Sequence, residues 1–213
     1  MTKYTVYKIN HIKDKLSHIK LSSPITDEVR ERLYFNSAHK LNANTRSKKD
    51  SNIGSWDDIT FELVDDKNIG YTDFLFLQDG VIVFSENIIK KRLLQGCFYY
   101  SGEIIKIKVL GAPHKYYIAN ITSTANMLDY EKSIFGPKDQ NDQCDILTYS
   151  FINLRTKCNR PLFKLEPDWD RSIYTLQRPE GEIEPDFVRS MLKYKIDIFD
   201  YQELYGFDKY VYS

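Results

Sequence analysis

Hydrophobic and polar residues alternate with period two over several short stretches of this chain, and helical periodicity is confined to a few short segments. Tyr4-Thr5-Val6-Tyr7-Lys8-Ile9 alternates and is rich in β-formers, which predicts an opening strand. Residues 27–35 predict a short helical turn running into an extended stretch. From Asn36 to Asn52 the chain is mostly Asn, Ser, Lys and Thr, the composition of a polar surface loop. Alternation returns over residues 56–64, placing Ile59, Phe61 and Leu63 on one strand face. An apolar block at 71–77 ends on the turn pair Asp79-Gly80, and Val81-Ile82-Val83-Phe84 again reads as a strand.

The clearest helix opens at Ser85. Serine is a good N-cap and Glu86 lies favourably at the positive end of the helix dipole. Ile88, Ile89, Arg92 and Leu93 fall on one face of a 3.6-residue period, Lys90 and Lys91 point outward, and Gly96 supplies a stop. Cys97-Phe98-Tyr99-Tyr100 and residues 103–109 then read as strands joined by a Ser101-Gly102 turn, with a further strand at 115–121 and a Gly/Pro/Asp-rich loop at 136–145. Residues 180–199 echo the plan of 79–100: a glycine turn, a helix start, a short helix and a strand. At an offset of 99 residues, Ile88, Ile89 and Leu93 superpose on Phe187, Val188 and Leu192, while Pro185 and Asp186 suit a helix start. These elements predict an α+β fold of mixed or antiparallel sheets with a few short helices. The 213 residues fit one domain, 1–213, which the echo would divide into related strand–helix–strand lobes at 1–125 and 126–213.

Composition narrows the function classes. Thirty basic residues balance thirty acidic ones, which argues against a dedicated nucleic-acid binder. No apolar run is long enough to cross a bilayer and the first ten residues lack a secretory h-region, so a cytoplasmic protein is expected. Cys97, Cys144 and Cys158 have no metal-ligand spacing and suit idle thiols in a reducing compartment. His11, His18, His39 and His114 form no ligand motif, and no glycine-rich phosphate loop or nucleophile elbow occurs. No catalytic residue, cofactor site or metal site is therefore assigned. Acidic clusters are the remaining candidates: Asp57-Asp58, Asp65-Asp66, Asp168-Trp169-Asp170, and Asp129 with Glu131, which on a strand would share one face as an acid/base or metal-binding pair. Charge is polarised along the chain. Residues 1–50 hold eleven basic against five acidic residues, and 166–213 hold six against eleven, a distribution suited to steering a charged protein partner. Sixteen tyrosines add material for a recognition surface.

In motif order the chain resembles bacterial polymorphic-toxin immunity proteins of the eleventh and forty-third types. The resemblance rests on Arg32-Leu33-Tyr34-Phe35-Asn36, on Trp56 and Asp73-Phe74-Leu75 preceding Val83-Phe84-Ser85-Glu86-Asn87-Ile88-Ile89, and on Leu128-Asp129-Tyr130-Glu131-Lys132-Ser133 as a Leu-Asp-x-x-x-Ser element. Pro161-Leu162-Phe163-Lys164-Leu165, Ile173-Tyr174 and the helix at 186–194 are similar to the family's closing module. The chain departs from the family pattern in having Ile196-Asp197-Ile198-Phe199 instead of a glycine-containing ending.

The resemblance implies a single immunity-type domain that protects its producer by binding a cognate toxin and covering its active site or substrate channel, without nucleic acid, membrane or cofactor. The expected contacts are the acidic loop Asp139, Asp142 and Asp145 and the acidic segment Glu180, Glu182 and Glu184. Two alternatives stay open: a metal-assisted hydrolase using Asp129 and Glu131 to reverse a toxin's modification, and a non-enzymatic adaptor.

Overall fold

The computed structural model describes residues 3–24, 59–64, 69–139, 144–152, 160–168 and 172–208. The expected helical turn at 27–35, the polar loop at 36–52, Trp56, both Asp57-Asp58 and Asp65-Asp66, His39, Asp142, Cys158, Trp169 and Asp170 lie outside the described residues. What is described is an α+β fold of mixed sheets and short helices.

The strands follow the alternation. β1 (Lys3–His11) sends Tyr4 and Val6 to one side of its sheet and Ile9 to the other. After a 3-10 turn at Lys13–Lys15 come β2 (Ser17–Leu21), β3 (Thr60–Val64), β4 (Phe74–Phe76) and β5 (Ile82–Ser85). With β6 (Gly102–Val109) and β7 (Tyr116–Ile121) these form a closed six-stranded barrel in the order β2-β3-β6-β7-β5-β4. Two of its pairings, β2·β4 and β3·β6, are parallel. Closure removes the free edges of these short strands. Ile19, Ile59, Phe61, Leu75, Val83, Ile105, Ile107, Tyr116 and Ile118 form its hydrophobic cluster.

The barrel's wall of Phe74, Ile82, Phe84, Ala119 and Ile121 packs against the helices. α1 (Glu86–Ile89) is capped by Ser85, whose Oγ accepts from the Asn87 N–H at 3.2 Å and donates to Asp73 Oδ1 at 2.5 Å. The chain breaks at Lys90-Lys91 and restarts as α2 (Arg92–Ser101). Here the structure corrects the expectation. Gly96 lies inside α2, Cys97-Phe98-Tyr99-Tyr100 are helical, and Ser101-Gly102 is the passage from helix to β6, not a hairpin turn. The buried face is Leu94, Cys97, Phe98 and Ser101, spaced i, i+3, i+4, i+7, whereas Arg92 and Leu93 are exposed. A glycine costs an interior helical position about 1 kcal/mol. Burying Phe98 outweighs that, at about 1.5–3 kcal/mol, and its ring stacks on Phe84 with centroids 4.6 Å apart.

The second sheet has the order β10-β11-β1-β12, built from β10 (Leu162–Phe163), β11 (Ile173–Gln177), β1 and β12 (Phe199–Asp208). α3 (Phe187–Lys193) joins β11 to β12. Both β11 and β12 are antiparallel to β1, which lies between them, so they run parallel to each other. β5 and β6 stand in the same relation to β7 and are joined by α1 and α2. The strand expected to close the first echoing segment at 97–100 is helical, so the likeness lies between larger units, each with two parallel strands split by a third and bridged by helix. Their helices pack together: Phe98 and Phe187 lie 6.0 Å apart, and Cys97 Sγ is 3.8 Å from Ser190 Oγ. At the offset of 99 residues Ile88 and Phe187 are both buried and Leu93 and Leu192 both exposed, but Ile89 is half-buried where Val188 is buried, and β5 falls opposite the loop at 181–184. A division at 125/126 does not follow the sheets, because β1 pairs with two strands of the second half.

The far face of the second sheet is covered by residues 125–135 and 144–151 and by Leu165. Ala125, Met127, Leu128, Ile146 and Phe151 pack on Tyr4, Val6, Tyr174 and Leu176. A small antiparallel ladder of β8 (Ile134–Phe135) and β9 (Ile146–Thr148) belongs to this layer. No helix among the described residues is long and apolar enough to cross a membrane.

Candidate interaction site

The acidic segment after β11 is a loop, held from beneath. Arg178 is only 6% exposed. Its guanidinium Nη1 lies 3.6 Å from Glu182 Oε2, and the Tyr4 hydroxyl donates to the other carboxylate oxygen of Glu182. A buried guanidinium requires such a counter-charge, since losing its hydration is costly. The loop's far end is tied by Asp186, which is buried and caps α3: Oδ1 accepts from the Arg189 N–H and Oδ2 from the Arg178 N–H, each at 2.9 Å. Arg189 Nη2 returns a bond to the Arg178 carbonyl at 2.5 Å. Gly181 takes the left-handed conformation (φ +88) that the turn requires.

This frame decides which of the expected contacts face outward. Glu180 and Glu184 are exposed; Glu182 is turned in, serving Arg178 and Tyr4. Between them Ile183 is 98% exposed. An aliphatic side chain bared on a braced loop, flanked by carboxylates, has the anatomy of an interface anchor with a polar rim.

The second expected patch repeats the arrangement. Asp145 is exposed beside β9, its carbonyl accepting the Gly136 N–H at 2.8 Å, and Asp139 is half-buried after β8. Nearby on the same ladder Leu147 is 64% and Ile134 56% exposed. The ladder pairs Ile134 with Thr148 and Phe135 with Ile146, so Leu147 is an extra residue bulged outward. Both patches border one hydrophobic cluster, because Tyr4, the partner of Glu182, packs in the same core as Ile146. The exposed aliphatics escaped the sequence reading. For Ile183, the bracketing Gly181 and Pro185 are the signal that would have found it.

Among the described residues, the other acidic candidates, Asp129, Glu131 and Asp168, sit in structural settings. Asp129 and Glu131 do not share a strand face, because residues 130–132 form a turn. The Asp129 carboxylate accepts the Glu131 N–H at 3.2 Å and pairs with Lys132 at 3.2 Å, while its carbonyl accepts the Ser133 N–H at 2.8 Å. Asp168 is buried and accepts from the Tyr174 hydroxyl at 2.5 Å, with Tyr149 3.1 Å further along and Lys8 Nζ at 3.9 Å. Burial pushes the Tyr174 phenol well above its ordinary range and Tyr149 to about 12, so both stay protonated as donors. Burial likewise raises the Cys97 thiol to about 12, the state of an inert core cysteine. His11 packs against Phe76 and Phe199, with ring centroids 5.4 and 5.1 Å away, and His18 lies 4.9 Å from Phe76 as well. Among the described residues no three His, Cys, Asp or Glu side chains converge as metal ligands. No protein-family model and no curated protein matches this chain.

Proposed function

We propose that the protein is an immunity protein, which binds a cognate toxin and covers its active site or substrate channel. The observation that carries this reading is the braced acidic loop with Ile183 bared between Glu180 and Glu184. Its supports, Arg178, Glu182, Tyr4 and Asp186, fix the loop before any partner arrives, which lowers the ordering cost of association. Carboxylates at the rim would steer a basic toxin surface, and Ile183 would fill a pocket on it. The order of short motifs shared with immunity proteins supports the same reading, and in this role the protein would work in the cytoplasm of the toxin-producing cell.

The test is co-expression with the protein encoded beside it, followed by binding and protection assays. Ile183→Asp should weaken the complex about tenfold or more, the loss of a central anchor, without moving the thermal midpoint. Glu180→Lys with Glu184→Lys should slow association and reduce its salt dependence. Protection by all these variants equal to that of the parent would remove this loop from the contact. Absence of binding and protection by the parent chain itself would end the immunity reading.

A further inference from the structure

β12 is one edge of the second sheet. β1 lies along one side of it, and no strand pairs with the other side among the described residues. The strand from Phe199 to Asp208 is 10 residues long, or roughly 33 Å at about 3.3 Å per residue. Natural sheets keep bare edges short, because alternate N–H and C=O groups along them point outward as a template for another strand. Phe199 and Tyr201 already pack with the helices on one side of the sheet, and Leu204 packs on the other. Among the described residues, the unused binding capacity of β12 is therefore its backbone edge.

Its side chains say what would pair there. Phe199–Leu204 contains Asp200 and Glu203 and neither Lys nor Arg. Asp200 and Gln202 are exposed. A second copy of this chain is a poor occupant, because it would bring a second acidic strand with no Lys or Arg to set beside Asp200. Directly opposed like charges destabilise a strand pair, and opposite charges stabilise it. The bulge in which Val6 faces Tyr205 and Tyr7 faces Glu203, leaving Leu204 over, adds local twist and further limits flat self-association.

We propose that the outer edge of β12 is a docking site for a basic, extended segment of a partner protein, which adds to the sheet as a fifth strand. Main-chain hydrogen bonds would supply the affinity, and Lys or Arg placed beside Asp200 the selectivity. The inference does not depend on the partner being a toxin, and it concerns a different element from the Ile183 loop.

Amide hydrogen exchange on the full chain tests it with three capped ten-residue peptides. The first alternates Lys with Val and Thr, the second has Glu in place of Lys, and the third is the Lys peptide N-methylated throughout. Near saturation the Lys peptide should slow exchange of alternate amides within Phe199–Asp208 about fivefold or more, as a bound fraction near four-fifths requires. The Glu and N-methylated peptides should leave them unchanged, and Asp200→Lys should abolish the response to the Lys peptide. Equal protection by the N-methylated peptide would reduce the effect to charge attraction and overturn strand addition. Equal protection by the Glu peptide, no protection by any, or protection that rises with protein concentration alone would overturn the proposed partner.

Discussion

His11 makes the stability of this protein depend on pH in a calculable way. It ends β1 with its imidazole against Phe76 and Phe199. Burial lowers its pKa from 6.5 to about 4; Asp79 opposes the shift and Lys13 adds to it. The folded state therefore holds the ring neutral where an unfolded chain binds a proton. The contribution is intact above pH 6.5 and is lost as pH falls from 6.5 towards 4, because over that window the unfolded state gains protons that the folded state refuses. At about 1.4 kcal/mol per pH unit, the loss comes to roughly 3 kcal/mol, trimmed to about 2–3 kcal/mol because the ring is not wholly shielded from solvent. Other groups titrate in the same range, so the measurement is a difference. Urea unfolding of the parent and of His11→Phe is compared at pH 7 and pH 4, the aromatic replacement keeping the contacts to Phe76 and Phe199. The parent should lose about 2–3 kcal/mol more than the variant on acidification. Profiles that run parallel to within about 0.5 kcal/mol would show that the imidazole is solvated and that burial does not hold it neutral.

Two glycines in neighbouring turns of the chain should respond oppositely to alanine. Nothing lies within 4 Å of a Cβ built on Gly96, so Gly96→Ala should stabilise the protein by about 0.5–1 kcal/mol through helix propensity, read as a rise in the urea midpoint with unchanged slope. A Cβ on Gly102 would stand 1.9 Å from the Asn120 carbonyl oxygen. Gly102→Ala should therefore cost about 2 kcal/mol or more by forcing β6 from β7, seen as a lowered thermal midpoint.

The strands were legible because their signal is local. Alternation marks β1 as a strand, though both of its faces are covered, and it places Ile59, Phe61 and Leu63 together, of which the structure buries Ile59 and Phe61 and half-buries Leu63. The cap at Ser85 was legible for the same reason, since it acts on an amide two residues away, whereas Asp186, read only as a charge suited to the helix start, proves to be the cap of α3. α2 was misread because aromatic residues at 97–100 imitate a strand and Gly96 imitates a helix stop. Its own signal, Leu94, Cys97, Phe98 and Ser101, crosses that glycine. Barrel closure had no local signal at all, since the parallel pairings β2·β4 and β3·β6 join segments far apart in the chain. The candidate loop was half legible. Its carboxylates stand in plain view in the sequence, but the inward turn of Glu182 depends on Tyr4, from the other end of the chain.

The position of β1 carries a consequence for biosynthesis. Lys3 pairs with Asp208 and Thr5 with Gln177, so the first strand made must wait for nearly all the described chain before either neighbour exists. Barrel and helices can form on the ribosome earlier, while Tyr4, Val6 and Ile9 remain without their native cover. During that interval β1 is an uncovered apolar strand and a natural client for a chaperone.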